Sequence, residues 1–193
     1  MPFKELKEIE GLGNSSEKLR GVLEFIDKII FRENTLPIKI VKEIKSKYKK
    51  KIPLAQHYFD EGKEGEILNE HYQVNERINK EKVNFHKIIK IAIHEVRHRV
   101  QHTLGIELFT KDNCEKFKEK YPPLKSLIKG LPENLSPNDF DACIVEKLSS
   151  FLIKNKVPLS EISKNIIPKN ANEILENIEI LTKRKKLTNS KPD

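Results

Sequence analysis

His94-Glu95-Val96-Arg97-His98 places two imidazoles four residues apart, with a carboxylate directly after the first. On a helix, residues four apart stand one turn above each other, so both rings can reach one metal ion. The Glu95 carboxylate then leans over the open side of that ion, where it can take a proton from bound water. Such spacing also arises by chance, so the surroundings must decide whether it carries chemistry.

No glycine or proline interrupts Phe85 to Leu104, and the residues between them are good helix formers. At about 100° per residue from His94, the side chains of His98, Gln101, Glu95 and His102 fall within about 100° of it. Ile89, Ala92, Ile93, Val96, Val100 and Leu104 gather on the other side, roughly 160–280° round. The metal-capable groups are therefore separated from the apolar stripe, which predicts a stripe buried against the body and histidines facing a cleft. Ile91 strays onto the polar side. Arg97 lies at the edge of that side, placed either to pair with a carboxylate such as Asp139 or Asp141 or to form a surface salt bridge.

A zinc enzyme of this kind needs a third protein ligand and leaves the fourth position to water. The segment Ser136-Pro-Asn-Asp-Phe-Asp-Ala-Cys-Ile-Val-Glu146 offers three acids. Ser136 can cap a helix with Pro137 in its first turn, which predicts a helix from Pro137 to Lys154. Asp139 stands three residues before Ala142, and a small residue there lets two helices approach closely. Asp141 points about 200° away from Asp139, while Glu146 shares its face about 10 Å further along. One of the three is open to the metal, and the other two support it or face solvent. Asp139 also fits a capping box with Ser136. His102 is the rival third ligand. It lies about 12 Å along the axis from His94, and three imidazoles in a row converge poorly on a tetrahedral ion. It fits better at the rim of the site or on the surface. Tyr58 or Tyr72 could supply a hydroxyl to a developing oxyanion; His57, His71 and His86 read as exposed or structural.

At 193 residues the chain reads as one domain over 1–185 with a flexible tail over 186–193. The 37% apolar and 34% charged shares describe a heavily charged surface. No apolar run approaches membrane-spanning length and no signal-peptide pattern opens the chain, so no membrane partner is expected. Cys114 and Cys143 are too few for a disulfide framework, pack as small apolar residues, and fit a cytoplasmic protein. The net charge of +8 invites a nucleic-acid reading, but the lysines are interleaved with 29 acids except at Lys45–Lys51 and Lys183–Lys186. Helices are expected over Ser16–Arg32, capped by Ser15 or Ser16, and over Ala171–Lys185. Pro37 to Glu76 reads as extended, with a helix over Ile38–Lys50 as the alternative at its start. Leu54–Phe59 and Gly65–Asn69 flank a charged turn as a hairpin. Gly65–Asn69 would be an edge strand, either able to take a peptide by strand addition or an ordinary sheet edge.

His94-Glu-Val-Arg-His98 with Gln101 resembles the active helix of zincin metallopeptidases. A hairpin before it and Asp139-Phe-Asp-Ala-Cys143 after it resemble the gluzincin arrangement, over roughly Leu54 to Phe151. The resemblance implies His94, His98 and Asp139 as ligands of one Zn2+ per chain, Glu95 as general base and Ala142 as the small packing residue. Asp139 is one methylene shorter than the usual glutamate, and Cys143 replaces the aspartate that would orient a ligand histidine. The third histidine of the metzincin variant is absent. The expectation is an α+β, zincin-like fold with a short mixed or antiparallel sheet packed on the motif helix, hydrolysing peptide bonds of a peptide or protein substrate. Arg97, Gln101, His102, Asp141 and Glu146 would support the site. The alternatives are a nucleic-acid-associated protein with a structural or degenerate metal site, or an inactive zincin-fold binding protein. Substrate and oligomeric state are not set by these residues.

Overall fold

The computed structural model describes residues 2–44, 53–61 and 67–189. Its contacts divide into two units, Met1–Arg99 and Val100–Asp193, and the boundary falls inside a continuous helix.

In the first unit, α1 (Pro2–Glu10) and α2 (Ser15–Phe31) precede a three-stranded sheet of β1 (Ile38–Val41), β2 (Ala55–Glu61) and β3 (Ile67–Asn75). A 3-10 turn over Glu76–Lys80 then leads to α3 (Phe85–Leu104). Leu19, Val22, Leu23, Phe25 and Ile26 of α2 are buried, as their helical spacing predicts. The cap, however, is Asn14, whose side chain accepts from the Glu17 amide. Residue 14 reaches that amide because it lies just outside the first turn. Helix α1 is not evident from the sequence. It packs on α2 where Gly21 leaves room for Ile9: a Cβ on Gly21 would lie 3.0 Å from that side chain.

The sheet order is β1-β3-β2, with β1 parallel and β2 antiparallel to β3. The fold is thus α+β with a small mixed sheet. Pairing of His57 and Ile38 with Tyr72, and of Ala55 and Ile40 with Val74, puts these residues on one face. On that face Tyr72 reaches α2 by donating its hydroxyl to Asp27. Strand β3 is central in the sheet, but β1 pairs only with its Tyr72–Asn75 part, so Ile67 and Asn69 of the expected edge strand pair with β2 alone. Ile38–Val41 is a strand, its alternation prevailing over the helical alternative. Lys45–Lys51, most of the expected hairpin turn, Gly65 and Glu66 lie outside the described residues.

Helix α3 has the expected bounds, and Ile89, Ala92, Ile93, Val96 and Val100 are buried. Leu104 departs from the stripe at 49% exposed. It is the last helical residue before Gly105, whose φ of +54° ends the helix.

The second unit holds the end of α3, then α4 (Lys111–Lys120), α5 (Pro122–Ile128), α6 (Pro137–Lys154), α7 (Leu159–Asn165) and α8 (Ala171–Asn189). Thr110 caps α4 in a reciprocal box with Asn113. Ser136 caps α6, with Pro137 in the first turn as expected. Phe140, Ala142, Ile144, Val145, Leu148 and Leu152 of α6 are buried, as are Ile162 of α7 and Ile174 and Ile178 of α8. Helix α8 runs on to Asn189, so Lys186–Asn189 are helical where a tail is expected; 190–193 lie outside the described residues. No described helix is long and apolar enough to cross a membrane.

Candidate metal centre

The first unit brings the motif histidines together. His94 Nε2 and His98 Nε2 face each other at 3.2 Å, with ring planes at 82°. Nitrogens bound to one tetrahedral zinc at 2.0–2.1 Å would stand about 3.3 Å apart. The pair therefore fits the donor geometry of one ion without a change of rotamer. The same separation also suits an N–H···N hydrogen bond between the rings.

Between them Glu95 turns toward the sheet, and its Oε2 accepts the His57 amide at 2.8 Å. Leu54 accepts from the Asn75 amide, so along β2 the backbone groups of residues 54, 56 and 58 face β3. Those of Ala55, His57 and Phe59 face the other way, and Glu95 thus meets β2 at its outer edge. The His57 ring is buried, with Nε2 2.8 Å from Glu70 Oε1. It belongs to the structural half of its expected reading, as does His71, which is buried between Asn69 and Gln73. His86 is half-buried.

Both arginines of the motif turn are buried. Arg97 is 0% exposed, which overturns its reading as a surface salt-bridge group. Arg99, unremarkable in the sequence, is held on several sides. Its Nη1 lies 2.6 Å from both Asp27 oxygens, Nη2 donates to the Asn34 carbonyl, and the Phe31 ring lies 3.7 Å from the guanidinium carbon. The local pattern could not reveal this, because the partner carboxylate lies 72 residues away. Tyr72 gives its hydroxyl to the same Asp27 at 2.8 Å, and burial, then the Asp27 charge, push its pKa well above the usual tyrosine range. The Tyr58 hydroxyl donates to Asp60. Both hydroxyls considered for an oxyanion are thus committed to carboxylates.

The second unit arranges the acids of α6 differently from one another. Asp141 is wholly buried: Oδ1 accepts the Phe109 amide at 2.8 Å and Oδ2 accepts from Gln101 Nε2 at 2.7 Å. Gln101 also donates to the Asn138 carbonyl, tying the last turn of α3 to the first turn of α6. Asp139 is half-buried, with its amide donating to Ser136 Oγ at 3.1 Å and the Ser136 hydroxyl donating to its Oδ2 at 2.7 Å. This is a cap in which the carboxylate meets the serine hydroxyl, whereas a capping box returns the bond to the backbone amide. Glu146 and His102 are half-buried. Cys143 is half-buried and unbridged; Cys114 is buried, which pushes its thiol up to about 12. Asp141→Ala would leave the buried Phe109 amide without its acceptor, so a loss of about 1–3 kcal/mol in urea unfolding is expected. An unchanged midpoint would show that water replaces the carboxylate there.

Comparison with protein-family models, curated protein sequences and solved structures returns no match.

Proposed function

We propose that the chain is a zinc-dependent peptidase. The observation that carries the reading is the 3.2 Å approach of His94 Nε2 and His98 Nε2, with Glu95 beside them on α3. Two imidazoles and a carboxylate form a donor set that suits zinc, with one position left for water. His94 and His98 would be two ligands and Asp139, as the sequence resemblance implies, the third. Asp139 is favoured over Asp141 because both Asp141 oxygens already serve Phe109 and Gln101.

Bound zinc supplies a Lewis acid and lowers the pKa of water towards about 7. The rest of the chemistry belongs to Glu95. Its Oε2 is anchored by the His57 amide, so Oε1 would take the proton of the attacking water and pass it to the departing amine. The anchoring fixes the carboxylate plane before substrate arrives, which lowers the entropic cost of the step. A peptide or protein is the substrate class that matches this chemistry.

The test is cleavage of a mixed peptide library, read by mass spectrometry, with and without a zinc chelator. Chelator-sensitive cleavage that zinc restores is the expected result; a chain that takes up no zinc under any loading condition sinks the reading. Ligand assignment is tested by competitive chelator titration. Asp139→Ala should weaken zinc at least about tenfold, by the loss of one of three protein ligands, while Glu146→Ala changes it less. Ser136→Ala serves as the control for the cap, whose loss costs about 1 kcal/mol of stability. Release of zinc by Glu146→Ala alone would move the third ligand two turns along α6.

A further inference from the structure

Glu95 and Arg99 stand four residues apart on α3, hence one above the other on the same side of the helix. Both reach His57. Glu95 takes its backbone amide at 2.8 Å. Arg99 reaches its ring through Glu70, whose Oε1 lies 2.8 Å from His57 Nε2 and 3.9 Å from Arg99 Nε. At the far end, Arg99 is fixed on Asp27 of α2, and the side chains of His57, Glu70, Arg99 and Asp27 are 2%, 15%, 5% and 1% exposed.

Placing these ionisable groups together away from water carries a desolvation cost, and apolar side chains could join α2, the sheet and α3 with less. Apolar contact, however, does not fix direction. A guanidinium bonded to Asp27 and Asn34 and covered by Phe31 has its plane set on three sides. Glu70, in ionic contact with Arg99 at 3.9 Å rather than hydrogen-bonded to it, meets the His57 ring, and the His57 backbone amide meets Glu95.

We propose that Asp27, Arg99 and Glu70 are positioning residues for the Glu95 carboxylate, acting through His57 and strand β2. The catalytic part of this proposal rests on the peptidase reading; the positioning part does not. When Glu70 or Arg99 is altered, β2 keeps its pairing with β3 but His57 is no longer held at both ends, and the bond from its amide to Glu95 loosens.

The experiment uses the full zinc-loaded chain and follows amide hydrogen exchange by NMR, beside kcat, KM and zinc content. Glu95→Ala establishes the signal, because removing the acceptor should expose the His57 amide. In Glu70→Gln and Arg99→Lys, the His57 amide should exchange about tenfold faster, the effect of losing roughly one hydrogen bond. The Tyr58 amide, which faces β3, should be unchanged. With zinc retained, kcat should fall about tenfold and KM stay within about twofold, as for a misplaced base. Unchanged exchange at His57, or equal acceleration at His57 and Tyr58, overturns the proposal, the latter because it marks general loosening of the sheet. If Arg99→Lys fails to fold, Glu70→Gln decides. A wild-type chain that holds zinc and cleaves nothing ends the peptidase reading, and the His57 amide still decides the positioning.

Discussion

A Glu95→Gln chain is expected to keep its zinc and lose at least about 10²-fold in turnover, the usual contribution of a positioned general base. Glutamine matches glutamate in shape, and its side-chain carbonyl can still accept the His57 amide that Oε2 accepts in the native chain. The substitution therefore removes basicity while leaving the anchor to β2 in place. Neither His94 nor His98 is altered, so zinc content should match that of the native protein. The comparison is made on the best substrate from the peptide library, with zinc measured on the same samples. Turnover close to native in Glu95→Gln would place the base elsewhere.

The second large effect is expected in a His94→Ala, His98→Ala double variant. Elemental analysis of native protein purified without added metal should give about one zinc per chain, and the double variant close to none, because the two-nitrogen chelate is gone. The fold should survive the loss. Helix α3 is held by Ile93, Val96 and Val100 at 0% exposure and by the Arg99–Asp27 pair, none of which involves the two rings. Far-UV circular dichroism should accordingly be unchanged. Equal zinc in both proteins would show that the ion sits away from the motif and would reduce the 3.2 Å approach to an ordinary hydrogen bond.

What the sequence made legible is what local pattern controls. The bounds of α3 and α6 follow from uninterrupted helix formers and from Ser136-Pro137, and both are found as expected. The polar side of α3, with His94 and His98 together, follows from a period of 3.6. The misses share a different cause. Burying a charge is costly, so Arg97 invites a surface salt-bridge reading and Arg99 draws none, and the partner that offsets Arg99 is remote in sequence. His57 carries no local sign that its amide meets Glu95. The central place of β3 depends on β1 returning in parallel on its far side, a pairing that alternation along one strand cannot encode. Helices α1 and α7 are short, nine and seven residues, and α1 owes its packing against α2 to the single missing side chain at Gly21.

Arg99 is the last residue of the first unit, and Asp27 lies deep within it. As the chain emerges from the ribosome, every strand of the sheet and the whole of α2 are available before the cation that neutralises Asp27 exists. A nascent chain ending short of residue 99 would have to enclose a carboxylate met only by neutral donors, the Tyr72 hydroxyl and the Leu36 amide, which favours an open, hydrated ensemble over early collapse. The first unit is thereby set to close late and in one step, with the motif helix as the element that completes it. Its folding rate should be governed by that long-range closure more than by the local propensity of any single helix.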